Sequence, residues 1–232
     1  MTRKPKVGVV TFPGSCDDRD AAWALAAVGA DPVAVWHAET QLPDVAGLVL
    51  PGGFSYGDYL RCGALARFAP VMDAVADFAD AGGPVLGICN GFQILCEAGL
   101  LPGVLRPNES LRFVCRDVPV RVERTDTPFT ARCAEGQTIT IPVKHGEGSW
   151  FADEELFAKV EENRQIVLRY EWNPNGSLAN VAGVVNEWGN VLGLMPHPEH
   201  AVDPLLGSAD GALILAPLVD AARDRLSVAA GV

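Results

Sequence analysis

The sequence predicts an α/β chain built on a doubly wound, mostly parallel sheet with a small antiparallel β excursion. Three observations point there. Short aliphatic runs alternate with helical stretches bounded by turn residues, the texture of βαβ units. A glycine-rich loop, 51–59, follows one of those runs, at the strand end where open parallel sheets bind ligands. A third run turns through spaced glycines straight into a helical stretch at 85–98.

The elements follow in order. Lys6–Thr11 reads as the first strand, and 12–15 as a turn. Asp17 or Asp18 can cap a helix over 19–28, which stops at Gly29. Residues 32–36 and Gly47–Leu50 read as the next two strands, and 70–81 as a helix. Val85–Ile88 is a short apolar run after Gly82, Gly83 and Pro84, hence a buried strand. From 101 to 143 the texture becomes β-rich, with pieces at 112–115, 118–122 and 138–143, the antiparallel excursion. Residues 144–148, Lys-His-Gly-Glu-Gly, read as a polar turn. A helix over 153–161, a strand at Ile166–Tyr170 and a turn cluster at 173–177 come next. Residues 178–185 and 191–195 pair as a hairpin around 186–190. With no linker, repeat or low-complexity stretch, one domain over 1–232 is expected.

Composition excludes several classes. Hydrophobic residues make up 49% and charged residues 20%, ordinary for a globular chain. A net charge of −11 argues against nucleic acid or an anionic membrane surface as partner. No apolar run approaches a membrane span, and the run behind Arg3, Lys4 and Lys6 is too short for a signal peptide. The six cysteines form no C-x-x-C pair, so they read as reduced thiols of a cytoplasmic protein.

Cys89 is the reactive candidate. It stands between Gly87 and Gly91 at a strand-to-helix corner, the nucleophile-elbow pattern with sulfur in place of oxygen. The corner lifts the side chain above the sheet edge and sets it at a helix N-terminus, where negative charge is favoured. The N–H of Asn90 then faces the space above the sulfur as one oxyanion donor. The N–H of Gly52 or Gly53, in the strand-end loop, is the expected second donor. A small buried cysteine in a glycine turn would look the same in isolation.

A thiol nucleophile needs a base, and the base an orienting group. Of the four histidines, His197 lies in Met-Pro-His-Pro-Glu-His, just past an expected strand. Pro198 biases it toward extended geometry, which would place His197 and Glu199 on one side. Glu199 can then hold one imidazole nitrogen while the other faces Cys89. The crowding of His197, Glu199 and His200 also allows a metal, but the spacing fits no zinc motif and none is expected.

On these residues the chain resembles the class I (triad) glutamine amidotransferases. Pro-Gly-Gly at 51–53, Gly-Ile-Cys-Asn-Gly-Phe-Gln at 87–93 and His-Pro-Glu at 197–199 carry the likeness. Longer matches at 52–61, 113–116, 145–148, 173–177 and 189–199 are similar to one branch, the glutaminase subunits of phosphoribosylformylglycinamidine synthases of purine biosynthesis. Lys144 and His200 stand where that branch leads one to expect alanine and arginine, and neither is expected to touch the triad.

The resemblance implies a flavodoxin-like scaffold and hydrolysis of glutamine through a Cys89 thioester, with His197 and Glu199 completing the triad. It implies Gln93 as a contact for glutamine. It also implies ammonia transfer to a separate large synthetase subunit, which holds ATP and magnesium, with a small accessory subunit. No cofactor is expected in this chain. A paired-glycine loop also suggests a switch: the Gly52–Gly53 peptide could flip its N–H when the synthetase docks. A cysteine hydrolase or chaperone-like protein on the same scaffold, or a non-catalytic binding subunit, would share the fold but not the release of ammonia.

Overall fold

The computed structural model describes residues 4–229. Arg3 and both outermost ends of the expected 1–232 domain lie outside those residues. The chain runs β1 (Lys6–Thr11), α1 (Asp18–Ala27), β2 (Asp31–Trp36), β3 (Gly47–Leu50), α2 (Val71–Asp80), β4 (Val85–Ile88) and α3 (Asn90–Glu97). It continues β5 (Val104–Pro107), β6 (Val114–Val122), β7 (Thr138–His145), β8 (Glu147–Phe151), α4 (Glu154–Glu162) and β9 (Ile166–Tyr170). Then follow β10 (Val181–Val185), β11 (Val191–Leu194) and α5 (Ala212–Ala229). The α/β class is the one expected from sequence.

One sheet of nine strands has the order β2-β1-β3-β4-β11-β10-β9-β6-β7, and β5 pairs with β8 beside it. From β2 to β11 the neighbours are parallel. From β11 to β7 they are antiparallel, so the expected excursion extends the main sheet. The two halves read differently because they are covered differently. β3, β4 and β11 are buried at every position, as unbroken aliphatic strands with both faces covered must be. β7 alternates buried and more exposed residues along most of its length.

Register positions the site. Val85 to Ile88 lie level with Val191 to Leu194, and Leu50 of β3 is level with Gly87. The carboxyl ends of β3, β4 and β11 therefore finish side by side. The loop at 51, the corner at Cys89 and the segment leading to His197 all leave the sheet at one edge.

Several expectations change. The pieces at 112–115 and 118–122 form a single strand, β6. Its exposed Arg116 and Asp117 interrupt the apolar pattern without interrupting the ladder with β7. Residues 144–148 are no polar turn: β7 ends at His145 and β8 starts at Glu147. Asp17 occupies the N-cap position of α1 but makes no capping bond, because its carboxylate turns to Lys144. Helix α5 has no counterpart among the sequence expectations. Pro217 lies inside it and hides a helical spacing of buried Leu215, Leu218, Val219 and Ala222. No helix among the described residues is long and apolar enough to cross a membrane.

The corner after β4 is built on close backbone contact. A Cβ at Gly91 would strike the carbonyl oxygen of Leu50 on β3. Gly91→Ala should therefore cost about 3 kcal/mol, at the top of the overpacking range. The check is the denaturation midpoint. An unshifted midpoint would mean that α3 can move away from β3.

Candidate active site

Cys89 sits at the strand-to-helix corner with φ 50° and ψ −103°, a conformation that L-residues rarely adopt. Its N–H donates to the carbonyl of Leu194, 2.8 Å away, which ties the corner to β11. The thiol lies 3.8 Å from the carbonyl oxygen of Lys144, within donor reach for sulfur. Only 6% of Cys89 is exposed.

His197 is fully buried, and its N–H donates to Pro142 of β7 at 2.8 Å. Its Nδ1 is 2.6 Å from Oε1 of the buried Glu199. The pairing arises differently from the sequence expectation. Pro198–His200 form a single 3₁₀ turn with Pro198 at its start, and that turn, not an extended segment, brings Glu199 back to the ring. The other nitrogen, Nε2, has no hydrogen-bond partner among the described residues. Burial alone would lower the pKa of His197, but Glu199 and then Cys89 outweigh it and raise it to about 10.

Lys144 and His200 do reach this group, contrary to expectation. Both converge on Asp17, Lys144 Nζ at 2.5 Å and His200 Nε2 at 3.4 Å from Oδ1. His200 Nε2 also lies 3.6 Å from Glu199 Oε1. Asp17 Oδ2 is 3.7 Å from His197 Nδ1. Burial works to raise the Asp17 pKa, yet the adjacent His200 and Lys144 hold it well below the usual carboxylate range. Donor atoms of Asp17, His197, Glu199 and His200 lie within 4.8 Å of one another, a set with metal-ligand chemistry. A cation, the Lys144 ammonium, already holds Asp17, and Glu199 already holds His197 Nδ1. These contacts engage Asp17 and His197 Nδ1, while Glu199 Oε2 and His200 Nε2 have no hydrogen-bond partner among the described residues.

The Gly52 carbonyl accepts from the N–H groups of Cys16 at 3.0 Å and Asp17 at 3.1 Å. A trans peptide then directs the Gly53 N–H the opposite way. Neither the Gly52 nor the Gly53 N–H donates to a protein acceptor among the described residues. The flip suggested by the paired glycines is thus not free: it would break both bonds, worth about 1 kcal/mol each. Asn90, whose side chain accepts from the Ser55 N–H at 3.1 Å, fastens this loop to α3.

Gln93 lines the pocket, but both ends of its amide are engaged. Its Oε1 accepts from Asn90 Nδ2 at 2.9 Å and its Nε2 donates to the Glu147 carbonyl at 2.6 Å. It holds the start of β8 against the corner. The pocket has a volume of about 230 Å³, and Cys89, His197, Gly53, Gln93, Lys144 and His145 are among its walls. It can hold a small substrate against a thiol, an imidazole and free backbone donors.

Residues 4–210 match the family of CobB/CobQ-like glutamine amidotransferase domains. The chain belongs to this family. The amidotransferase is 59% identical over 218 residues to phosphoribosylformylglycinamidine synthase subunit PurQ of Rubrobacter xylanophilus, covering 94% of this chain and 99% of that protein. It is 57% identical over 225 residues to the subunit of the same name from Salinibacter ruber, covering 93% and 96%. Among solved structures, PurLQS from Thermotoga maritima matches at a TM-score of 0.87 and 45% identity, with 94% of this chain and 99% of that chain covered.

Sequence reasoning did not place Asp17, Lys144 or His145 in the amidotransferase site. Asp17 carried the signal of a helix cap, and 144–148 that of a turn. The one available hint was the pair of departures, Lys144 and His200, whose side chains both reach Asp17.

Proposed function

We propose that this amidotransferase is the glutaminase subunit of a phosphoribosylformylglycinamidine synthase, acting as one unit in the cytoplasm. The observation that carries the reading is Cys89, strained at its corner, sharing one pocket with a His197–Glu199 pair. The relatives named PurQ supply the pathway. The His197–Glu199 pairing beside Cys89 speaks against a non-catalytic binding subunit, and the likeness to proteins named PurQ speaks against another hydrolase on the same scaffold.

In the proposed reaction, Cys89 sulfur attacks the side-chain carboxamide carbon of glutamine, and its proton passes to His197 Nε2. The oxyanion is held by the N–H of Asn90 and that of Gly53, with Gly52 as the alternative donor. His197 returns the proton to the departing nitrogen, ammonia leaves, and a glutamyl thioester remains. Water then attacks the thioester as His197 takes its proton, the proton returns to sulfur, and glutamate is released. Glu199 orients the ring throughout. Ammonia passes to a large synthetase subunit that uses ATP and magnesium to convert formylglycinamide ribonucleotide to formylglycinamidine ribonucleotide. The name PurLQS for the Thermotoga structure joins Q to two further letters, which supports that partner and a small accessory subunit.

The isolated chain should be slow. Its thiol lies 3.8 Å from the Lys144 carbonyl, an acceptor that competes with His197 for the thiol proton. Misplacement by about 1 Å costs roughly 10²-fold in rate. Docking of the synthetase with its nucleotide and substrate is expected to raise glutamate release by about that factor. The experiment measures steady-state glutamine hydrolysis before and after that addition, together with amidine formation. Full activity in isolation, unchanged by the synthetase, would refute the coupling.

A further inference from the structure

We propose that Asp17, His197, Glu199 and His200 form a binding site for one zinc ion, which inhibits the enzyme while it is bound. The binding stands on the geometry of the four side chains; its consequence for turnover rests on the glutaminase reading. The residues come from two places, the start of α1 and the 3₁₀ turn after β11, so no linear spacing announces the set. Asp17 and His197 both line the pocket, which gives an ion its way in.

The donors have the right kind and spacing. Zinc takes four nitrogen, oxygen or sulfur donors at about 2.0–2.1 Å in a tetrahedron, so neighbouring donors stand about 3.3–3.4 Å apart. His200 Nε2 is 3.4 Å from Asp17 Oδ1 and 3.6 Å from Glu199 Oε1. Asp17 Oδ2 is 3.7 Å from His197 Nδ1. One pair is tighter: His197 Nδ1 and Glu199 Oε1, 2.6 Å apart, share a hydrogen. Zinc takes the place of that hydrogen, which leaves to solvent as a proton. Calcium and magnesium suit the set less well, because they prefer oxygen ligands and two of the donors are imidazole nitrogens.

Unmet polar atoms within the set point to a ligand. Glu199 is 1% exposed, and its Oε2 has no partner among the described residues; His200 Nε2 has none either. Unpaired buried polar atoms are costly, and natural proteins rarely leave them. A ring nitrogen facing carboxylate oxygens is joined to them by a proton or by a metal cation. Lys144 opposes the ion: its ammonium meets Asp17 Oδ1 at 2.5 Å and repels a second cation there. Lys144 therefore limits the affinity of the site. Bound zinc takes Nδ1 of His197 away from Glu199 and disfavours a proton on Nε2, so the ring can no longer cycle as base and acid.

The test titrates the untagged full chain carrying Cys89→Ala, so that the nucleophile cannot serve as a ligand. It should bind one equivalent of zinc, read by competition with a coloured chelator. Cobalt(II) in the same place should give visible bands with no sulfur-to-cobalt charge transfer. Adding His200→Ala or Asp17→Asn should weaken zinc binding at least about 100-fold, since even the outer partners of metal ligands are worth about 10- to 100-fold in affinity. Adding Lys144→Ala should tighten it about tenfold, a gain that a damaged fold cannot produce. No bound equivalent, a sulfur band (which would put the ion on Cys16 or Cys62 in the same pocket), or an affinity unchanged by His200→Ala or Lys144→Ala would each overturn the site. With Cys89 restored and the synthetase present, zinc should stop glutamate release, EDTA should restore it, and Lys144→Ala should be inhibited at about tenfold less zinc. Equal sensitivity of Lys144→Ala and wild type would overturn the inhibitory role. If the Cys89→Ala chain binds zinc as described but the wild type releases no glutamate even with its synthetase, the glutaminase reading falls and the site stands.

Discussion

Cys89→Ala should lower glutamine hydrolysis by about 10⁵-fold or more while the assembled complex still makes amidine from added ammonium salts. Loss of the nucleophile alone removes about 10⁶ in a serine triad, because the triad acts as a unit. No other thiol among the described residues can substitute. Cys62 lines the same pocket, but burial and then Asp58 push its thiol well up, away from the nucleophilic form. Burial does the same to Cys96. Cys16, at the pocket rim, is raised by burial and then by Asp17. A glutamine-shaped diazoketone should therefore label Cys89 alone, as read by peptide mass spectrometry. Glutamine-dependent turnover near the wild-type rate in Cys89→Ala, or a label mainly on Cys62 or Cys96, would sink the assignment.

Glu199→Gln should cost about 10² to 10³ in kcat. Loss of the orienting acid costs about 10⁴ in a serine triad, and a sulfur nucleophile depends less on its base. The structure supplies the reason for a large effect. His197 is fully buried, so its charged form needs a partner, and Glu199 is the chief influence opposing that burial. Without the carboxylate the pKa of His197 should fall. Asp17, 3.7 Å from the same nitrogen, would offer a partial substitute. Glu199→Gln combined with Asp17→Asn should therefore lose more than Glu199→Gln alone. Activity in Glu199→Gln equal to wild type would mean that the His197–Glu199 contact serves only to shape the turn.

Much of this architecture was legible because it is local. The strands of the parallel half are uninterrupted aliphatic runs, and the two glycines around Cys89 announce a tight corner. His197 and Glu199 lie two residues apart, so their pairing could be read even though the turn that achieves it was not. What stayed hidden is what the fold joins across distance. Asp17 and Lys144 are 127 residues apart in sequence and meet only because the start of α1 and the end of β7 reach the same edge. His145 packs against Asn175 and Gly148, which a linear pattern presents as turn residues. Pro217 concealed α5 for the opposite reason: a local breaker was overridden by packing against the sheet.

The level pairing of β4 with β11 works as a ruler. Cys89 stands one residue beyond Ile88 and His197 three beyond Leu194, and those two reference residues face each other. The gap between thiol and imidazole is thus set by counting along two short strands, not by the loops that join them. Added length is better borne at the far end, at the hairpin tip where Trp188 is 85% exposed, short of Asn190, which is buried and donates to the Ala79 and Gly83 carbonyls. A single residue added between Val191 and His197 would move the imidazole by a whole strand step, about 3.3 Å, and out of reach of sulfur. An engineer splicing a reporter into this chain has a safe graft point at the tip and a forbidden one a few residues later.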